Sequence, residues 1–192
     1  MSNPDRLHIA YALHQFADED WTARAERWTA KFYTPSDTKG FGTATITRVV
    51  PGVTPTPRAV LRVDLGFLDR IPRVIFTEDE GLIPQLAEMN PTLLLLLESV
   101  HVTDEWRGKG VGMRLAVTAL RRLAVPGTVA VCYPAPLHGH GPDEPCAYES
   151  DDPEVRRPDE EAVAKLRTAW ERHGFRPIGE GVYALPLDRL VP

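Results

Sequence analysis

The stretch from Leu93 to Leu123 constrains this chain most. Five consecutive leucines, Leu93 to Leu97, run into Glu98-Ser99-Val100-His101-Val102. The turn Arg107-Gly108-Lys109-Gly110-Val111-Gly112 follows, and from Met113 to Leu123 the apolar residues fall at helical spacing. The leucine run is far too short to cross a bilayer and reads as a strand buried on both faces, in the middle of a sheet. A strand, a glycine-rich turn and a helix start, in that order, make an anion site. The first N–H groups of a helix have no partner within it and lie at the positive end of its dipole. Glycines let the backbone approach a ligand closely, and successive N–H groups can form a nest. Arg107 and Lys109 add positive charge.

The rest of the chain narrows the class. At 192 residues it suits one domain, 1–192, with a loop insertion at 134–158. A net charge of −5 argues against broad nucleic-acid binding, which needs a basic surface. Cys132 and Cys146 are too few for a disulfide framework and fit a reducing, cytoplasmic setting. Met1 to Asp5 is polar and no apolar segment follows, so neither a secretory signal nor a membrane partner is expected.

Arg6 to Phe16 alternates as a strand. Asp18 can cap a helix running to Tyr33, with Trp21, Ala25, Trp28 and Phe32 on one face. Phe41–Val50 and Arg58–Phe67 read as strands of a hairpin, joined by a proline-rich connector. Between Leu68 and Pro91 the pattern allows a short strand at Arg73–Phe76 and a short helix at Leu82–Met89. The helix after Gly112 is expected to bury Met113, Val117, Leu120 and Ala124. Thr128–Tyr133 is a further strand, Pro134–Pro158 a long surface loop, and Asp159 opens a helix that stops at Gly174. Phe175–Ile178 and Val182–Leu187 flank Gly179-Glu180-Gly181 as a closing hairpin, which offers a place for a homodimer contact. The fold class expected is α+β: a mixed central sheet, a parallel crossover through the 113–123 helix, and flanking helices.

The glycine turn has three nucleotide readings. A Walker A loop needs Gly-Lys followed by Ser or Thr for magnesium, but Gly108-Lys109 is followed by Gly110. A dinucleotide fingerprint needs Gly-x-Gly-x-x-Gly and an acid at the end of the next strand, and Thr128–Tyr133 has none. The pattern Arg-x-x-Gly-x-Gly occurs by chance in about one chain in ten of this length, so its context has to carry the third reading. There, Arg107 to Gly112 resembles the coenzyme A signature of the GNAT superfamily of N-acetyltransferases: Gln or Arg, two residues, Gly, one residue, Gly or Ala. The lead-in Glu98 to Trp106 and the end Ala169-Trp170-Glu171-Arg172-His173-Gly174-Phe175 also look like that family. The resemblance spans Leu93 to Leu187. It departs in the first ninety residues, with one clear helix where the family often has two, and extra sequence between Leu68 and Thr92.

The resemblance implies a GNAT-like sheet with two splayed strands and transfer of an acetyl group from acetyl-CoA to a primary amine by direct attack. The acceptor is a small-molecule or peptide amine. Val100, His101 and Val102 would lie along the pantetheine arm, with the Val102 N–H polarising the acetyl carbonyl. Arg107, Gly108, Lys109, Gly110, Val111, Gly112 and Met113 would cradle the pyrophosphate. No metal is implied. Glu98, amid leucines where burial would raise its pKa, is the candidate base, and a structural carboxylate paired with an arginine is the equal alternative; His101, on the face away from Val102, is the second candidate base. The family's proton-donating tyrosine is replaced by Trp170, leaving Tyr133, Tyr148 and Tyr183 as substitutes. That departure also keeps open a second reading, a coenzyme-binding sensor or interaction module without turnover. His138, His140, Asp143 and Cys146 lie close in sequence, but in a stretch rich in proline and glycine they suit shaping an acceptor pocket better than a tetrahedral zinc site.

Overall fold

The leucine run sits at the centre of a seven-stranded sheet in the order β1-β2-β3-β4-β5-β7-β6. The computed structural model describes residues 7–14, 25–35, 37–52, 70–79, 81–135 and 160–187. The strands are β1 (His8–His14), β2 (Ala25–Thr34), β3 (Asp37–Val49), β4 (Leu93–Val102), β5 (Thr128–Cys132), β6 (Arg176–Gly179) and β7 (Val182–Pro186). The helices are α1 (Arg70–Ile75), α2 (Pro84–Ala87), α3 (Val111–Leu123) and α4 (Glu160–Arg172). β1 to β4 pair antiparallel in sequence order. β4 and β5 pair parallel, with α3 as the crossover. β5 then pairs antiparallel with β7, and β7 with β6. The fold is α+β, with the mixed sheet, the central crossover and the terminal hairpin that the sequence implies.

The leucines bury both faces. Leu93, Leu95 and Leu97 pack with Leu115, Ala116, Ala119 and Leu120 of α3 and with Trp170 of α4. Leu94 and Leu96 pack on the other face with Ile71 and Ile75 of α1 and Leu86 of α2. Leu95 is fully buried. Leu95→Ala is expected to lower unfolding stability by about 3 kcal/mol through lost transfer energy and a residual cavity, read from the denaturant midpoint at unchanged slope.

Several expectations are overturned. The helix expected from Asp18 to Tyr33 is, over Ala25–Thr34, strand β2; residues 15–24 lie outside the described set. Trp28 and Phe32, four apart, satisfy a helical and a strand period equally. Arg27, Thr29 and Lys31 alternate with Trp28, Ala30 and Phe32, and pairing to both β1 and β3 decides for the strand. The strand expected at Arg73–Phe76 is instead the end of helix α1, with only Phe76 bridging to Leu82. Ile71 and Ile75, one turn apart, bury one face of that helix, so tertiary packing outweighs β-branched propensity. On α3 the buried stripe is Gly112, Leu115, Ala116, Ala119 and Leu120, with Val117, rather than one running through Met113 and Ala124. The hairpin expected between Phe41–Val50 and Arg58–Phe67 is also overturned on the side of β3, whose two edges are taken by β2 and β4; residues 58–67 and 136–159 themselves lie outside the described residues. The closing hairpin turns at Glu180 and Gly181, both at positive φ (43° and 79°), between the pair Gly179 and Val182. That is the two-residue geometry matched to strand twist. Among the described residues no helix is long and apolar enough to cross a membrane.

Candidate active site

β4 and β5 pair only from Leu93↔Thr128 to Leu97↔Cys132. Beyond that point β4 continues to Val102 with β3 alone, and the gap opposite it widens into a cavity of about 710 Å³. One wall is Glu98–Val102, a second is the turn into α3, and a third is the cleft side of α4 with Leu166, Ala169 and Trp170. Every carried-over site position lines this cavity except Lys109 and Val111.

A β-bulge sets the geometry of the first wall. Thr45 pairs with Ser99 and Ile46 with Leu97, so Glu98 is an extra residue in β4. A one-residue slip moves the following side chains to the other face. Even-numbered Leu94 and Leu96 face α1 and α2, whereas Val100 and Val102 pack on the α3 side. The same register fixes the backbone. The Thr103 N–H donates to the Phe41 carbonyl at 2.8 Å, so in this antiparallel ladder the alternate Val100 and Val102 direct their amide groups away from β3, into the gap. The Val102 carbonyl is met there by Arg107 Nε at 3.2 Å.

The turn is braced from beneath. After β4 a short 3₁₀ turn, Asp104–Trp106, lets Trp106 stack on Phe41 with ring centroids 4.2 Å apart. Lys109 lies over the Trp106 ring at 5.7 Å, away from the cavity lining. Arg107 pairs with Asp104 at 2.8 Å. Gly108 and Gly110 are left-handed (φ 72° and 68°), and Gly110 caps α3 without a side-chain hydrogen bond. The first helical bond is Arg114 N–H to the Gly110 carbonyl, so the amides of Val111, Gly112 and Met113 have no helical acceptor. Gly112 presses this helix start onto β4: a Cβ there would stand 3.0 Å from Val102 Cγ1 and 3.6 Å from Val100 Cγ1.

Glu98 points to the face opposite α3. Its carboxylate accepts a hydrogen bond from the Thr47 hydroxyl, and it pairs with Arg27 at 2.5 Å. The Glu98 side chain is 2% exposed and Arg27 34%. Glu98 lines the cavity, and its carboxylate is neutralised from β2 by the arginine pairing that is the alternative to a base at this position. His101, paired with Thr43, is exposed on that same face.

The tyrosine substitutes separate. Tyr133 lines the cavity just beyond the last β4–β5 pair. Tyr183 does not; its hydroxyl donates to Glu171 at 3.2 Å, and burial followed by that carboxylate raises its pKa. Tyr148 lies outside the described residues, as do His138, His140, Asp143 and Cys146. Trp170 is buried edge-on to Phe175 at 4.9 Å and lines the cavity. Sequence reasoning overlooked Cys132, Lys165 and Arg172 as lining residues. For the latter two a signal existed, since with Ala169 they share one helical stripe. Burial pushes the Cys132 thiol well above its usual range. Its alkylation by iodoacetamide at pH 8 is therefore expected to be at least about tenfold slower in the folded protein than in urea, because the thiolate is the nucleophile.

No protein-family model matches this chain, and no curated protein matches its sequence. Among solved structures the chain is similar to that of Arabidopsis thaliana NAA60 in complex with acetyl-CoA, at 9% identity and a TM-score of 0.42, over 93% of this chain and 98% of that one.

Proposed function

We propose that the cleft binds acetyl-coenzyme A and that the protein is an N-acetyltransferase acting on a primary amine. One observation carries the reading: the amides of Val100 and Val102, turned into the gap, stand beside the uncapped start of α3. An exposed strand edge suits an amide-bearing arm such as pantetheine, and the helix start suits a pyrophosphate. The left-handed glycines at 108 and 110 and the tight contact at Gly112 fit that ligand. When bound, it supplies an acetyl thioester.

The remaining tasks fall to this chain. The Val102 N–H donates to the carbonyl oxygen as that oxygen gains charge. Glu98 accepts the proton that the amine sheds on forming its bond to the acetyl carbon, directly or through a water. No proton donor is required for the leaving thiolate, since a thiol pKa near 8.5 makes it a tolerable leaving group. Arg27 and Thr47 hold the Glu98 carboxylate in place. Trp170, which has no readily transferable proton, favours the second reading, a coenzyme-binding module without turnover.

Titration calorimetry with coenzyme A, followed by thiol release from acetyl-CoA against a library of amines, tests both. Binding with amine-dependent thiol release supports the transferase. Binding without release from any amine supports the module, and no binding at micromolar concentrations ends both readings.

A further inference from the structure

We infer that Lys165 and Arg172 of α4 form a second anion subsite, one that holds the 3′-phosphate of the coenzyme. The inference rests on the coenzyme reading above. Both residues line the cavity from the helix facing the glycine turn. Lys165, Ala169 and Arg172 stand at i, i+4 and i+7, on one stripe of α4. Seven residues of helix span about 10 Å, within which two long cationic side chains can converge on one guest. The methyl of Ala169 between them leaves a notch.

Charge arithmetic points the same way. Among the described residues, the cavity lining carries three cations, Arg107, Lys165 and Arg172, against one carboxylate, Glu98. That carboxylate is already bonded to Arg27 and Thr47. Arg107 is engaged by Asp104 and the Val102 carbonyl, on the wall where the pyrophosphate would sit. Lys165 and Arg172 are left on the opposite wall. Lys165 pairs with Glu161 at 2.7 Å, but with both partners about three-quarters exposed. Such a pair is weak and yields readily to a phosphate. Once the pyrophosphate is seated on the turn, the coenzyme has one phosphate left, the monoester on ribose C3′. A phosphate monoester suits a point cation and a forked guanidinium.

Calorimetry on the full chain with coenzyme A and with 3′-dephospho-coenzyme A tests this, using the wild type, Lys165→Gln, Arg172→Gln and the double variant. The wild type should bind coenzyme A about tenfold or more tightly than the dephospho form, the scale of one or two charge-assisted contacts. The double variant should bind both forms alike, at the wild type's dephospho affinity. A wild type that binds both forms equally would overturn this inference while leaving the cradle intact. So would a double variant that loses the same factor for each. A wild type that binds neither form overturns the cradle as well.

Discussion

Gly110→Val is expected to weaken coenzyme A binding by about a hundredfold, the product of backbone strain and a blocked anion nest. Gly110 caps α3 at φ 68°, where a β-branched residue is a steric outlier. A Cβ there meets no atom within 4 Å, so packing in the free protein is untouched. The cost is conformational, and the backbone can escape it only by leaving the left-handed region, which turns the amides of the first helical turn away from their common focus. Melting temperature should fall modestly while calorimetric affinity collapses. Gly110→Ala, with the same φ problem but a smaller side chain, should fall between the two. Gly112→Val fails differently: its Cβ would press on Val102 Cγ1 at 3.0 Å, so folding itself should suffer. Unchanged coenzyme affinity in Gly110→Val would sink the cradle.

Glu98→Gln is expected to lower kcat by about a hundredfold, the lower end of what a positioned general base contributes, with coenzyme A affinity unchanged. The side chain lies on the sheet face away from α3, so it does not touch the proposed pyrophosphate cradle. Glutamine keeps the shape and can still accept from Thr47. It loses the charge that Arg27 pairs with, but it leaves no buried charge behind, since Arg27 is a third exposed and returns to water, so the stability cost should be modest. The companion variant Arg27→Gln separates catalysis from architecture. If Glu98 served only to tie β4 to β2, each variant would lose turnover only in step with its loss of melting temperature, and Arg27→Gln, which leaves the buried carboxylate without this cation, would melt lower. A large loss of kcat in Glu98→Gln together with near-normal melting assigns the proton acceptor. Wild-type turnover in that variant removes Glu98 from the reaction.

The cleft shows where reading a chain succeeds and where it stops. The five leucines announced a doubly buried strand because no solvent-facing strand tolerates them, and β4 is buried on both faces. The glycine turn was legible because left-handed positions and close approaches call for glycine, as at Gly108, Gly110 and Gly112. β2 was not legible as a strand, since Trp28 and Phe32 fit either period and only pairing with β1 and β3 broke the tie. Helix α1 was hidden in the same way, behind β-branched residues whose burial decides their conformation.

By itself the sequence determined the central strand, the crossover helix, the closing hairpin and the glycine turn at 107–112. These are local matters of hydrophobic period and backbone freedom. Only the tertiary structure decided that Glu98 is a bulge, because a bulge exists only relative to a partner strand. That single extra residue turns Val100 and Val102 toward α3. Their amides open into the gap because β5 stops pairing at Cys132. It was also pairing across three strands that joined Glu98 to Thr47 and Arg27, residues 51 and 71 positions away in the chain. No periodicity along one segment encodes such distances; they follow from register, which the whole sheet sets together.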